Sequence, residues 1–156
     1  MRFAEFVCLE AVQAELLAVD KQGVIHELVQ ALLNAGQLAK DDFKPIVNAI
    51  LKREELGSTG IGRGAAIPHT KHSGVKRTVA AVGVSKTGID FSSLDGESVY
   101  VFFLLLSPAD GQDDHLGALQ CTARKLRGDA FCRFLKQATS VEEIRQLLDE
   151  SDNDEL

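Results

Sequence analysis

The sequence is poor in several features that would each point to a particular class of protein. It has only three cysteines, Cys8, Cys121 and Cys132, and no two of them have metal-ligand spacing, which argues against a disulfide scaffold and a cysteine-based zinc site. We expect all three to be reduced, mostly buried thiols of a cytoplasmic protein. The longest apolar run, residues 99–106, is too short to cross a bilayer. Because the first residues lack a basic segment followed by a clean apolar run, we also expect no leader peptide and no direct membrane insertion.

The chain also lacks an excess of positive charge. Its 17 basic and 23 acidic residues give a net charge of −6, which argues against a nucleic-acid partner because phosphate binding requires a basic face. With 156 residues, 45% of them hydrophobic, the chain is long enough for one domain with a sizeable core. We expect that domain over residues 1–150, followed by an acidic, disordered tail at 151–156.

Hydrophobic periodicity predicts helices at 20–36, 41–55 and 115–126, a short helix opened by Asp129, and a last helix opened by a capping box of Ser140 and Glu143. We expect Asp41 or Asp42 to cap the second helix. Strands are predicted at 65–69, 78–85 and 99–106, with turns at 86–91 and 94–98. Because residues 99–106 are apolar on both faces, they indicate a central strand covered on both sides. The predicted class is α/β, with a mixed sheet between helix layers.

The stretch STGIGRGAAIPHTKH, residues 58–72, is the most informative part of the sequence. Its glycines at 60, 62 and 64 permit unusual backbone conformations and let main-chain N–H groups approach an anion. It is neither a Walker loop, since no Gly-Lys-Ser/Thr follows, nor a Rossmann fingerprint, since it follows a predicted helix. Pro68 stiffens the backbone before His69, whose neutral imidazole can act as a nucleophile near pH 7.

A phosphoryl group carried on such a nitrogen requires nearby cations, hydroxyls or N–H groups. Arg53, Ser58, Thr59 and the glycine amides can supply them, and His115 can reach the same site if both histidines lie at one sheet edge. Simpler interpretations stay open. A loop histidine is commonly a solvated residue, His115 can be an ordinary helix-start residue, Ser58 and Thr59 can only cap the turn, and Arg53 with its two glutamate neighbours can form a solvated face.

A metal-dependent hydrolase using His69, His72 and His115 is a further alternative. If residues 65–69 are extended, His69 and His72 do not converge on one helical face, and well-spaced carboxylates are scarce nearby. We therefore expect no metal and no other cofactor.

Three segments, REELGSTGIGRGAAIPHT, LLLSPADGQDDHLGAL and ARKLRGDAFCRFLKQATSVEEI, occur in the same order as in a known family. They resemble the phosphotransferase-system enzyme IIA domains of the fructose–mannitol class (type 2), over residues 5 to 150. This resemblance implies a mixed sheet of about five strands with helices on both faces, as in mannitol IIA. It also implies that His69 is the phosphoryl acceptor, carried as the tele-phosphohistidine, although the sequence alone does not distinguish the two ring nitrogens. His115 and Arg53 would stabilise the phosphate, with support from Ser58, Thr59, Gly62 and Gly64.

Within that family the sequence resembles the nitrogen-regulatory branch, because it has no fused IIB, IIC or phosphocarrier part and because of its FCRFL segment. The resemblance implies a histidine phosphocarrier as donor, and transporters, sensor kinases or a IIB domain as further partners. The alternatives are a IIA component of fructose or mannitol uptake and a regulatory binding module without catalysis. Arg63 departs from the family, which often has asparagine there, and a cation at this position could strengthen phosphate holding or alter the choice of donor. Lys71 and His72 have no assigned role.

Overall fold

A six-stranded mixed sheet forms the centre of the molecule, in a computed structural model that describes all 156 residues. Its strands are β1 (Val7–Gln13), β2 (Gly60–Gly62), β3 (Ala65–Ala66), β4 (His69–Lys71), β5 (Val79–Ile89) and β6 (Val99–Ser107). They are ordered β1-β5-β6-β3-β2, and β4 also pairs with β6. The helices are α1 (Lys21–Asn34), α2 (Phe43–Glu55), α3 (Gln112–Leu126), α4 (Asp129–Gln137) and α5 (Val141–Asp152).

Strand β6 is the centre of this sheet, as its apolar sequence predicts. It runs antiparallel to β5 and parallel to β3 and β4. Alternate side chains enter two separate cores: Phe102 and Leu104 pack under α1 and α2, whereas Phe103 and Leu105 pack under α3, α4 and α5. All four are at most 1% exposed, and burial of each such side chain contributes roughly 2 kcal/mol.

The sheet is larger than the sequence indicates. Local patterns did not predict strands β1 and β2, and the sheet has six strands where the family resemblance implies about five. The predicted strand at 65–69 consists of two pieces, because β3 ends at Ala66 and β4 begins at His69. The predicted turn at 86–91 is wrong for its first four residues. Strand β5 continues to Ile89 through Gly88, whose φ of +83° lies in the left-handed region that favours glycine.

The first two helices begin in different ways. Helix α1 begins after Asp20, whose carboxylate accepts a hydrogen bond from the Gly23 N–H at 2.7 Å. Helix α2 is preceded by a 3₁₀ turn at Lys40–Asp42, and Asp42 makes no capping hydrogen bond. Asp42 therefore occupies the predicted N-cap position, but its carboxylate does not cap the helix, since the preceding turn supplies the entry to it.

The ends of the remaining helices differ from the prediction in several details. Helix α3 begins three residues before His115, earlier than predicted, and Leu116 in its second turn is 52% exposed. The N-cap of α4 is Gly128, and Asp129 is its first helical residue. Only one hydrogen bond of the predicted capping box of α5 forms, from the Glu143 N–H to the Ser140 hydroxyl. The Glu143 carboxylate instead accepts from the N–H and hydroxyl of Thr139.

The first and last elements of the chain are hydrogen-bonded to each other. Helix α5 extends to Asp152 and Ser151 is buried, so the ordered structure continues past the predicted tail boundary at residue 151. The Asp152 carboxylate accepts hydrogen bonds from the N–H groups of Phe3 and Ala4, at 2.7 and 2.9 Å. The Phe3 ring, in turn, stacks on Phe103.

The three cysteines are free and buried, as predicted. None of the helices combines the length and the apolar character that a membrane crossing requires.

Candidate functional site

His69 lies at the start of β4, where the interrupted strand resumes after Pro68. It pairs in register with Leu105 of β6, and so faces the side of the sheet that α3 covers. The His69 Nδ1 atom is 2.6 Å from the backbone carbonyl oxygen of Ile67. Because a carbonyl oxygen can only accept, Nδ1 carries the ring proton and the Nε2 atom of a neutral His69 keeps a free lone pair.

The environment of His69 favours its neutral form. Burial lowers the pKa of the half-buried ring, and the positive charge of Arg53 lowers it further, against the opposing effects of the Ile67 carbonyl and Glu54. The imidazole is therefore unprotonated at neutral pH. A neutral ring with a bare Nε2 atom is a nucleophile.

A groove lies beside His69, between α3 and the sheet edge formed by β2 and β4. It is lined by Arg53, Ser58, Thr59, Gly60, Ile61, Ile67, His69, Leu119 and Ala123. Arg53 reaches it from the last turn of α2, where the guanidinium donates to the Gly57 carbonyl at 2.8 Å. The groove thus combines a nucleophilic ring with a cation, which suits an anionic reacting group.

His115, in the first turn of α3, is the second imidazole of the site. Its ring centroid is 5.6 Å from that of His69, and the residue is 8% exposed. Its Nδ1 atom is 2.7 Å from the hydroxyl oxygen of Ser107. Burial, with smaller effects from His69 and Lys71, lowers the pKa of His115 to about 4. His115 is therefore also neutral at physiological pH.

The two hydroxyls predicted to support a phosphate are already engaged. The Ser58 hydroxyl donates to the Phe91 carbonyl at 2.8 Å and accepts from the Gly60 N–H at 3.0 Å. The Thr59 hydroxyl donates to the Glu54 carboxylate. Both residues line the groove, but they shape its wall and have no hydroxyl proton left for a ligand.

Glu54 is a site residue that the sequence interpretation missed. It was assigned to a possible solvated face, yet it is 7% exposed. Its carboxylate also accepts from the Thr59 N–H at 3.2 Å and from the Lys21 ammonium at 3.1 Å. A sequence signal existed, because Glu54 follows Ile46 and Ile50 at intervals of four and so continues the buried stripe of α2.

Gly62 and Gly64 lie away from the groove. Both have positive φ, +90° and +79°; Gly62 ends β2, and Gly64 lies in the turn between β2 and β3. Gly64 directly precedes Ala65, which pairs with Val101 of β6, whereas His69 pairs with Leu105. Val101 and Leu105 are four residues apart on the same strand, which at about 3.3 Å per residue is roughly 13 Å. The expectation that these two glycines contact the phosphate is not supported, because their conformations serve the turn.

Arg63, in the same turn, contacts residues at the start of α4. Its guanidinium donates to the Arg127 carbonyl oxygen at 3.0 Å and pairs with the Asp129 carboxylate. These contacts place the charge of Arg63 against the start of α4 and give no support for a role in holding the phosphate.

His72 is also separate from the pair of imidazoles. Its Nδ1 atom accepts a hydrogen bond from the Gly74 N–H at 2.9 Å. No three histidine, cysteine or acidic side chains come together as a group that could hold a metal ion.

Comparison with known proteins identifies relatives over almost the whole chain. The model of the family described as "Phosphoenolpyruvate-dependent sugar phosphotransferase system, EIIA 2" matches residues 5–151. The chain is 33% identical over 152 residues to the fructose-specific EIIABC component of Bacillus subtilis, covering 97% of this chain and 24% of that protein. It is 42% identical over 110 residues to the nitrogen regulatory protein of Escherichia coli K12, covering 69% of this chain and 66% of that protein.

A solved structure agrees with these relatives. The nitrogen regulatory protein IIA-Ntr of Neisseria meningitidis superposes with a TM-score of 0.83 at 30% identity, covering 94% of this chain and 98% of that one. The family match, the fold and the order of the His69 and His115 segments lead to the same conclusion: this chain belongs to the EIIA type 2 family of the phosphoenolpyruvate-dependent phosphotransferase system.

Proposed function

We propose that this chain accepts a phosphoryl group on Nε2 of His69 from a histidine phosphocarrier protein and holds it as a nitrogen-regulatory signal. The observation that carries this proposal is the hydrogen bond between His69 Nδ1 and the Ile67 carbonyl. It assigns the proton to Nδ1 and leaves Nε2 as the nucleophile, which agrees with the tele-phosphohistidine that the family resemblance implies.

The transfer step requires no proton movement. The lone pair of His69 Nε2 attacks phosphorus, a new N–P bond forms, and the N–P bond to the donor histidine breaks and returns its electron pair to that ring. Such transfers pass through a loose transition state, so the protein contributes mainly in-line positioning and charge stabilisation. Arg53 supplies positive charge at the groove and His115 supplies a hydrogen-bonding ring.

The surface beside the groove suits a protein donor. Ile61, on the groove wall, is 41% exposed, and Leu116 is 52% exposed. Leu116 lies one turn before Leu119, which also lines the groove, so the two share a helix face. We call Ile61 and Leu116 the apolar rim. It offers a phosphocarrier an apolar contact surrounding the reacting ring.

A role in sugar uptake is the second candidate, because a fructose-specific relative is 33% identical over 97% of this chain. In that role the phosphoryl group would pass from His69 to a IIB domain. Incubation of the labelled protein with a purified fructose-class IIB domain separates the two: rapid loss of label to that domain supports sugar uptake, and retention supports regulation.

The test of the acceptor assignment is phosphoryl labelling. The chain is incubated with enzyme I, a histidine phosphocarrier and labelled phosphoenolpyruvate, and we expect an acid-labile, base-stable label on the wild type. His69→Ala should abolish it, because no other ring has a free Nε2 in the groove. His72→Ala is the matched control, since it removes a histidine three residues away, and it should label normally. A fully labelled His69→Ala protein would refute the assignment.

A further inference from the structure

A pair of buried hydroxyls lies behind His115. Ser107, the last residue of β6, is 0% exposed, and Thr78, which precedes β5, is 8% exposed. The two residues face each other, since the register of β5 and β6 pairs the adjacent Val79 with Leu106. The Thr78 and Ser107 hydroxyl oxygens are 3.1 Å apart, and Ser107 Oγ is 2.7 Å from His115 Nδ1. Thr78, Ser107 and His115 therefore form one hydrogen-bonded chain.

The protons of this hydrogen-bonded row of three side chains can be arranged in only one way that leaves no donor unpaired. If Thr78 donates to Ser107 and Ser107 donates to His115 Nδ1, both hydroxyl protons are used. If His115 instead donates from Nδ1, Ser107 turns its proton toward Thr78, and the buried Thr78 proton has no other acceptor. An unpaired buried donor is costly, so the first arrangement is favoured. In it, Nδ1 of the neutral ring accepts and the ring proton lies on Nε2.

We propose that Ser107 and Thr78 are positioning residues that hold His115 in its Nε2–H form, so that it can donate a hydrogen bond to the phosphoryl group on His69. The role assigned to that hydrogen bond rests on the proposed function. The two imidazoles thereby take opposite roles: the Ile67 carbonyl leaves Nε2 of His69 bare, whereas Ser107 leaves Nε2 of His115 protonated. With ring centroids 5.6 Å apart, a phosphoryl group on one ring lies beside the other.

The tautomer can be measured on the unphosphorylated full-length chain. Long-range ¹⁵N–¹H spectra at about pH 8, where unprotonated imidazole dominates, distinguish the Nε2–H and Nδ1–H forms, and His115→Gln identifies the His115 signals. We expect the Nε2–H form, with a Nδ1 frequency displaced by the accepted hydrogen bond. In Ser107→Ala that displacement should disappear. The matched control is Thr122→Val. It removes another buried hydroxyl of α3, the helix that carries His115, and this hydroxyl bonds only to the Ala118 carbonyl.

Phosphoryl lifetime provides the second readout. We expect the label on His69 to decay about fivefold faster in Ser107→Ala, the effect of losing one hydrogen bond, and at the wild-type rate in Thr122→Val. If Ser107→Ala folds poorly, Ser107→Cys leaves no cavity, has a weaker donor and should change both readouts in the same direction. A wild-type Nδ1–H tautomer, or an unchanged Nδ1 frequency in Ser107→Ala, overturns the inference. Absence of label from the wild type contradicts the proposed function, whereas the tautomer of His115 is decided by the spectra of the unphosphorylated chain alone.

Discussion

At the scale of single residues, the chemistry of the site depends on what each imidazole contacts at Nδ1. A backbone carbonyl beside His69 can only accept, and the hydroxyl beside His115 can donate. Pro68 contributes to the first contact, because the residue before a proline is restricted to extended conformations, which limits the orientations open to the Ile67 carbonyl. Two rings of the same chemical type can therefore serve as nucleophile and as hydrogen-bond donor.

Protonation of His115 should destabilise the fold. Its pKa is about 4 in the folded chain and about 6.5 when unfolded, so the unfolded state binds more protons between these values. The stabilisation is complete above about pH 6.5 and is lost as the pH falls toward 4. From pH 7 to 5 we expect this residue to account for a loss of about 2 kcal/mol of unfolding free energy.

Urea denaturation of the wild type and of His115→Gln at both pH values measures this contribution. The variant should lose about 2 kcal/mol less than the wild type over the same interval. His26→Gln, a change at an exposed histidine on α1, is the control and should follow the wild type. A His115→Gln protein with the wild-type pH dependence would contradict the prediction.

Residue identities could be predicted further than residue roles. His69, His115 and Arg53 were found from the sequence and meet in the structure. The roles of Ser58 and Thr59 could not be predicted, because the sequence does not show whether a hydroxyl is free or already hydrogen-bonded. Which partner each hydroxyl bonds depends on the positions of Phe91 and Glu54, which only the folded chain brings to that loop.

At the scale of elements, the end of α2 organises the groove. Its last turn directs Arg53 to the groove and Glu54 to the buried side of the loop at Thr59. Lys21, at the start of α1, neutralises Glu54. The two helices on one face of the sheet therefore fix a loop that belongs to the site.

Replacement of Glu54 by glutamine should loosen this loop. The amide keeps the shape of the carboxylate but leaves Lys21 without a counter-charge and weakens both hydrogen bonds to Thr59. We expect a loss of about 1–2 kcal/mol in unfolding free energy, together with slower labelling of His69. Glu55→Gln, at the exposed neighbouring position, should be neutral in both assays. Equal stability of the two variants in urea would show that the Glu54 contacts contribute nothing.

The elements that the sequence reveals are those with a strong local pattern. Strand β6 and helices α1 and α2 have such patterns, and the structure confirms them. Strand β1 has none, since its sequence VCLEAVQ mixes strand and helix formers, and its conformation is set by parallel pairing with β5 about 70 residues away. Strand β2 has only three residues and exists because β3 pairs with it.

At the scale of the whole molecule, the exposed apolar rim is the surface through which the site would meet its phosphocarrier. Leu116→Asp places a charge on this rim without disturbing a buried side chain. We expect the phosphocarrier concentration for half-maximal labelling to rise about tenfold, equivalent to about 1.4 kcal/mol of binding, with little change in the maximal rate. Steady-state labelling at varied phosphocarrier concentration measures both quantities.

Leu17→Asp is the control for this prediction. Leu17 is 83% exposed, and it follows β1, the strand at the edge of the sheet opposite β2. We expect it to label as the wild type does. If both variants weaken labelling equally, the effect is not specific to the rim, and the proposed docking surface is wrong.

The hydrogen bonds that the amides of Phe3 and Ala4 donate to Asp152 have a consequence for synthesis on the ribosome. The first turn of the nascent chain emerges early but finds its carboxylate acceptor only after nearly every other residue has been translated. Phe103 and Phe131, the aromatic rings that Phe3 stacks on, are also translated long after it. The apolar layer that α5 completes with Phe3 therefore closes last, and a ribosome-bound chain stalled before helix α5 would expose this layer.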